Sequence, residues 1–520
     1  MVQLLPPHQM PLVAVDMGSN SFRYEIGRIQ DGQYERIAYE KESVRLGAGL
    51  DERGLLTGEA AQRGLDCLAR FGAKIRKFRP ERVRAVATQT LREARNRDDF
   101  LREGQKALGF PIEVIPGREE ARLIYCGVSF LQPSESARLV IDIGGRSTEM
   151  VLGQGREQLA AESFQLGSVS LSMAYFGRGE LTESAFEKAG VAAGAALQEA
   201  LVPFDPSRWT EVLGSSGTAG AVAQFLATRG VSDGVITAEG LRWCIRQCVK
   251  AGHVDALPAL GIKPDRAPVI AGGLSILQTL MTLFRIERIV PARGALRQGV
   301  IVDLHDRLQS QALYAARQKT REGATDAAPL PVLDVRDQTV TALQARYHVD
   351  LAQARRVGEQ ALALQLQVAR LPHEEHRELG WAAALHEVGM TVSHHDHHRH
   401  TAYVLAHSDA PGFSQSQQRR LAQLTLGQRG RLRKISDDLA HPGFRIQCLC
   451  LRLAVILCNA RLDAPDGSRP GVKLAQDGQN FSLKVAKKWA LHHPQTLHLL
   501  RQESQEWDRL AGGWKLQIVD

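Results

Sequence analysis

Two kinds of apolar spacing divide the chain near residue 308. Before it, short apolar runs with period-two character alternate with longer stretches of helical spacing, the pattern of α/β units. LVAVDMG predicts a strand, SFRYEIGRI its hairpin partner, and RIAYEKESVRLG a third strand. A helix is expected over roughly 58–78, then a strand RVRAVATQT, a helix from about 97, a strand PIEVIP and a helix REEARLIYCGVSFL. The polar stretch QPSESA reads as a linker closing this unit at 131.

The plan then repeats, with strands RLVIDIGG, STEMVLGQ and REQLAAESFQLG, helices, and a strand TEVLGSSG ending in a glycine turn. The echo reaches single positions: Asp16 aligns with Asp142, Gly18 with Gly144, Ser21 with Ser147, and Arg23 with Glu149. This is duplication at domain scale. Beyond 308, QSQALYAARQKTREGATDAAP reads as a polar connector, residues 339–371 as helical, and VKLAQDGQNFSLKV with the closing GWKLQIVD as a small α+β unit. The expected domains are 1–131, 132–308, 309–440 and 441–520.

Composition adds limits. The 520 residues exceed one core, and 44% hydrophobic with 23% charged residues is ordinary for globular material. Pro6, Pro7 and Pro11 break the apolar start and no basic n-region precedes it, which argues against a signal peptide. With no apolar run near 18 residues, a cytoplasmic protein is expected. The seven cysteines lack zinc spacing and read as buried free thiols. A net charge of +8 favours a polyanionic partner: nucleic acid, anionic lipid and polyphosphate all fit.

DMGSNS and DIGGRS carry the chemistry. A strand ending in Asp-x-Gly before Ser or Thr lets backbone N–H groups approach phosphate oxygens, while the aspartate can hold a metal or a water. One such loop could be an ordinary hairpin turn. Two, each at the first hairpin of a duplicated unit, would clamp a phosphate chain across a cleft.

This arrangement resembles the sugar kinase and actin superfamily. The ordered strings VDMGSNSFR, ATQTLREARN, EVIPGREEARLIYCGV, LVIDIGGRSTEM, FQLGSVSL, LGSSGT and GALRQGV, with WAAALHEVG and HRHTAYVLAHSDAPGF downstream, look like the exopolyphosphatase and guanosine pentaphosphate phosphohydrolase family over essentially the whole chain. The resemblance implies two duplicated actin-like (ribonuclease H-like) α/β domains, an all-α HD-like domain and a small α+β C-terminal domain. It implies Glu120 as the catalytic glutamate that activates water, with Arg92 in the active site, where its guanidinium could pair bidentately with phosphate. Adjacent Glu119 and Glu120 project about 100° apart on a helix, so one faces a given cleft. Asp142 and Glu149 are expected to reach a Mg²⁺ or other divalent ion, with Asp16 the symmetric candidate. Monovalent-ion stimulation is also open. Phosphate contacts are expected from Gly18, Ser19, Asn20 and Ser21 in one loop and Gly144, Gly145, Arg146, Ser147 and Thr148 in the other. Ser168, the turn Ser216, Gly217 and Thr218, and Arg266 complete the set.

In the C-terminal half, LHEVG resembles the HD phosphohydrolase signature with Glu387 in the place of Asp, which reads as an HD-like fold without metal. HHDHHRH, residues 394–400, reads as a solvated, partly cationic loop that guides a polyanion together with Arg419, Arg420, Arg429, Arg431, Arg433 and Lys434.

The expected activity is processive removal of terminal orthophosphate from inorganic polyphosphate, the helical part threading the polymer. Guanosine pentaphosphate hydrolysis is the alternative, and one enzyme could do both. An inactive polyanion-binding or sensor protein and a kinase remain as other classes. The family resemblance implies a homodimer; no specific nucleic acid is expected, and peripheral membrane contact stays open. Arg146 stands opposite Asn20 of the sister loop, where the family usually has glycine or alanine. Ordinary backbone angles are expected for it, with the side chain either on the phosphate chain or at the solvent mouth of the cleft.

Overall fold

The computed structural model describes residues 10–320, 334–462, 472–510 and 513–519. Residues 1–9, read for a signal sequence, and 321–329 of the expected connector lie outside them. The chain divides into two compact units, 1–334 and 335–520.

The first unit holds two sheets with the same wiring. Strands β1 (Leu12–Met17), β2 (Phe22–Gln30), β3 (Gln33–Glu42), β4 (Val83–Ala87) and β5 (Ile112–Val114) lie in the order β3-β2-β1-β4-β5. Strands β6 (Arg138–Ile143), β7 (Thr148–Gln154), β8 (Glu157–Phe164), β9 (Glu211–Gly214), β10 (Ile236–Thr237) and β11 (Arg288–Pro291) follow in the order β10-β11-β9-β6-β7-β8. In each, three antiparallel strands adjoin parallel ones. The central β1 and β4 are buried throughout, as strands covered on both faces must be.

The duplication extends to register. Asp16 lies opposite Arg23, and Asp142 opposite Glu149. The second hairpin of each sheet slips register at the same step, Ile26/Gly27 in one and Leu152/Gly153 in the other. Both bulge glycines lie under tyrosine rings: a Cβ would stand 2.6 Å from the Tyr34 hydroxyl at Gly27 and 2.3 Å from the Tyr125 ring at Gly153.

Helices Gly117–Leu131 and Leu296–Thr320 pack on one another and on both sheets, forming an apolar layer with Leu12, Ala14, Val140 and Val151. They cross at small residues. A Cβ on Gly299 would fall 1.7 Å from the Leu123 carbonyl oxygen, and one on Gly127 2.5 Å from that of Ala295. This contact sets the height of the first turn that bears Glu119 and Glu120.

Three expectations are corrected here. TQT, read as the end of a strand, begins a short helix, Gln89–Glu93, because Thr88 leaves extended geometry. The connector read from 309 continues the helix Leu296–Thr320 across the expected boundary at 308. The helical reading of 339–371 is two helices, Val335–Arg346 and Leu351–Val368, separated by a turn in which His348 has φ 49°.

The second unit is helical through Pro442–Leu457 and ends in a sheet of β12 (Val472–Asp477), β13 (Asn480–Val485) and β14 (Lys515–Val519). One apolar core runs from Val340 to Leu516, so helices and sheet fold on the same centre across the expected boundary at 440. Five of the cysteines are buried, and burial pushes Cys67, Cys244 and Cys448 up to about 12. No helix among the described residues is long and apolar enough to cross a membrane.

Candidate active site

The C-terminal ends of β1, β6 and β9 open on one cavity of 400 Å³ in the first unit. Gly18, Ser19, Asn20 and Ser21 line one side, Gly144, Gly145 and Ser147 the other. The two glycines do the same job, since a Cβ would meet the Ser21 carbonyl oxygen at 3.2 Å on Gly18 and that of Ser147 at 3.1 Å on Gly144. The loops also touch: a Cβ on Gly145 would sit 3.1 Å from that of Ser19.

Two helices begin at this cavity. Ser216, Gly217 and Thr218 start the helix Gly217–Thr228, where the Ser216 hydroxyl accepts from two backbone N–H groups, and Gly294–Gln298 surround the start of Leu296–Thr320. Exposed N–H groups at helix starts favour anions. Ser168 also lines the cavity and fixes the second loop, both its N–H and its hydroxyl donating to the Gly144 carbonyl.

Of the two adjacent glutamates, Glu120 lines the cavity, whereas Glu119 accepts twice from Arg122 in a buried ionic group with Arg84 and Asp303. Burial raises the Glu120 pKa, Arg92 opposes that shift, and Asp16 adds to it. Arg92 Nη1 donates to Glu120 Oε2 at 2.8 Å and to the Ile115 carbonyl at 2.9 Å. Its Nε and Nη2 both donate to Gln89 Oε1. The expected bidentate grip on phosphate is therefore corrected: the fork is occupied by the protein, behind Glu120.

Asp142 and Glu149 share a face of neighbouring strands by register. Burial raises the Asp142 pKa to about 7, against the Ser215 hydrogen bond and with the charge of Glu120 adding. Glu149 is raised well above the usual range, by burial first and then by Glu120 and Asp142. Ser163 donates to Glu149 at 2.8 Å. Asp16 differs from the symmetric role expected of it, because Arg23 and Arg297 stand 3.6 and 3.4 Å from its carboxylate.

Two loop residues also depart from expectation. Thr148 is fully buried and its hydroxyl donates to the Leu166 carbonyl at 2.6 Å, away from the cavity. Arg146 has ordinary angles and does not line the cavity; its side chain is half-buried, 20% exposed. Its Nε and Nη2 contact Glu93 at 2.9 and 2.7 Å, and Nη1 donates to the Gly47 carbonyl.

The cavity wall also carries cations that the sequence reading passed over: Arg23, Arg36, Lys41, Arg293 and Arg297. Arg23 was visible as the counterpart of Glu149, and Arg297 within GALRQGV. Arg266, which was expected, rests against Gly217, where a Cβ would meet its Nη2 at 2.0 Å. Burial and then the charge of Arg23 lower its pKa. The Ser21 hydroxyl and Arg23 Nε are buried with no protein partner, both able to donate to an anion.

In the second unit, His386 is buried, with its pKa lowered to about 4 by desolvation, and Glu387 is ion-paired with Arg461, which also holds Asp350. The cationic loop expected at 394–400 is corrected. His397 and His398 begin the helix His397–His407, are buried, and have pKa values lowered to about 4 by desolvation and nearby cations.

Two duplicated sheets whose glycine loops abut, with helix starts and a carboxylate in one cleft, define an actin-like fold. The profile of the Ppx/GppA phosphatase family matches residues 25–308, and that of Ppx/GppA phosphatase, domain III, matches 335–504. Proteins of Vibrio atlanticus (strain LGP32) and Vibrio cholerae (serotype O1, strain El Tor Inaba N16961), each named guanosine-5'-triphosphate,3'-diphosphate pyrophosphatase, are 34% identical to this chain, over 511 and 512 residues. Both alignments cover 97% of each chain. The crystal structure of an exopolyphosphatase from Cytophaga hutchinsonii ATCC 33406 is similar with a TM-score of 0.51 and 26% identity, covering 57% of this chain and 98% of that one. The chain belongs to the Ppx/GppA phosphatase family, and is a phosphoanhydride hydrolase.

Proposed function

We propose that the chain hydrolyses guanosine pentaphosphate, releasing the terminal 5'-phosphate as orthophosphate. The observation that carries the chemistry is the meeting of Glu120 with unpartnered phosphate donors in one cavity. Full-length similarity to relatives named for this nucleotide supports the substrate. Tyr39 supports it too. It is 43% exposed at the cavity wall, with the guanidiniums of Arg297 and Arg36 5.1 and 5.5 Å from its ring centre, and offers an aromatic face that a bare polyphosphate would not use. The ranking of the two substrates thus reverses the one drawn from the basic C-terminal stretch, in which two of the histidines are buried and neutral.

Glu120, whose charged form Arg92 favours against burial, accepts a proton from water as the water oxygen attacks the terminal phosphorus. The bond from that phosphorus to its bridging oxygen breaks, and the electron pair leaves with guanosine tetraphosphate. Ser21, Arg23, the loop N–H groups and the two helix starts take up charge on the transferred group.

Magnesium belongs to the proposal. Among the described residues no three His, Cys, Asp or Glu side chains are grouped so as to hold an ion. Magnesium, however, takes one or two carboxylates together with substrate phosphates, and the donors here are oxygens. Asp142 and Glu149 fit: Asp142 lines the cavity, Glu149 lies directly opposite it on the next strand, and burial first, then the charge of Glu120, raises both pKa values, which a divalent ion would offset. They would hold it, and bound there it would neutralise phosphate charge.

Rates of orthophosphate release from guanosine pentaphosphate and from long-chain polyphosphate, measured in parallel, test the reading. A kcat/KM higher on the nucleotide supports it, and no release from the nucleotide refutes it. Tyr39→Ala is expected to raise KM for the nucleotide about fivefold and leave the polymer unchanged.

A further inference from the structure

We propose that Arg146 is a positioning residue: through Glu93 and Gln89 it fixes the Arg92 guanidinium against Glu120. The inference rests on Glu120 as the base and goes beyond it by tying that base to the opposite phosphate loop.

The links are all on one path. Arg146 leaves the second loop and meets Glu93 Oε2 at 2.7 Å. Glu93 Oε1 accepts from Gln89 Nε2 at 2.6 Å. Gln89 Oε1 accepts from Arg92 Nη2 at 2.6 Å, and Arg92 Nη1 donates to Glu120 at 2.8 Å. Gln89 is 5% exposed and lies in the short helix Gln89–Glu93 with both of its neighbours on the path, spaced by i+3 and i+4.

The path has a direction fixed by chemistry. A carboxylate only accepts and a guanidinium only donates, so the one side chain between Glu93 and Arg92 must do both. An amide can, and the charges at its two ends settle which end faces which. Glu93 draws the amino group, which leaves the carbonyl oxygen for Arg92. Arg146 in turn holds Glu93, while its third contact, to the Gly47 carbonyl, seats it where Gly47 leaves room: a Cβ there would stand 2.9 Å from Arg146 Cδ. The second loop therefore sets the orientation of the guanidinium that donates to Glu120. A glycine at 146 would leave Glu93 without this partner.

A plain clamp between the loop and the helix is the competing explanation, and polarity separates the two. Gln89→Met cuts the middle of the path and leaves Arg146 with Glu93. The reversed pair, Arg146→Glu with Glu93→Arg, rebuilds the clamp, but an arginine at 93 cannot accept from Gln89. Expected on guanosine pentaphosphate and polyphosphate alike are losses in kcat of about tenfold for Gln89→Met and Glu93→Gln, with KM within about twofold. Arg146→Gly is expected to lose about fivefold, Arg146→Lys to recover most of it, and the reversed pair to stay low. Thermal midpoints, measured alongside, are expected to stay near wild type for Gln89→Met. Wild-type kcat in Gln89→Met, or its restoration in the reversed pair, overturns the relay and leaves the hydrolase reading standing. Undiminished turnover in Glu120→Gln instead overturns the base assignment, and the relay falls with it.

Discussion

The two phosphate-loop hairpins are one backbone used twice with opposite charge. Each ends its first strand in aspartate and places residue i+7 directly opposite, in the same register and with the same bulge downstream. In the first hairpin that partner is Arg23, and Arg297 adds a second cation to Asp16. In the second it is Glu149, so two carboxylates share a face, and burial first, then the charge of Glu120, raises the pKa of both. One side of the cleft is thus electrostatically complete and ready to hold anions, and the other is short of positive charge. A single difference between equivalent positions, arginine in one and glutamate in the other, separates a cation-paired half from an acidic half.

Removing the proposed base breaks this division most severely. Glu120 stands between the halves, with Asp16 and Glu149 both among the charges it feels or imposes. Glu120→Gln is expected to lower kcat by about a thousandfold, read as orthophosphate release, and to leave the fold as stable or more so, because a buried carboxylate is gone.

The same Asp→Asn change made in the two hairpins sharpens the comparison. Asp142→Asn is expected to lower kcat about a hundredfold while raising the thermal midpoint of the metal-free protein. Asp16→Asn leaves Arg23 and Arg297 facing each other without their carboxylate, and is expected to cost about 1–3 kcal/mol by denaturant melts. Equal signs for the two stability changes would erase the distinction between the halves.

Arg23→Gln comes next. With Ser21 and the helix starts intact, kcat is expected to change little and KM for guanosine pentaphosphate to rise about tenfold.

Much of this was legible in the chain because it is local. Strand alternation, glycine turns and the repeat of Asp16 and Arg23 as Asp142 and Glu149 are all written in sequence order. The family resemblance added Glu120, and the structure puts it in the cavity. What escaped depends on partners distant in sequence. Arg92 carries a phosphate-binding residue type, yet Gln89, Ile115 and Glu120 take four of its five N–H groups. Arg146 carries a surface residue type, yet Glu93 and Gly47 take its guanidinium. The histidine run was misjudged for a similar reason: composition reports solvation on average, whereas a helix that starts at His397 turns two rings inward.

The smallest expected effect concerns pH, and it follows from Asp142 alone. Its folded pKa of about 7 lies above the ordinary value of 3.8, so the folded state holds the proton more tightly than the unfolded one. The stabilisation this brings is complete below pH 3.8 and is lost as pH rises through about 7. Between those limits the metal-free protein is expected to lose thermal stability, by on the order of 5 °C, a slope that Asp142→Asn flattens. Magnesium should flatten it as well, since an ion held by Asp142 and Glu149 favours the ionised forms. A slope unchanged in Asp142→Asn would place its origin elsewhere. A slope removed by the mutation but untouched by magnesium would keep the buried-acid account and take the ion away from these two carboxylates.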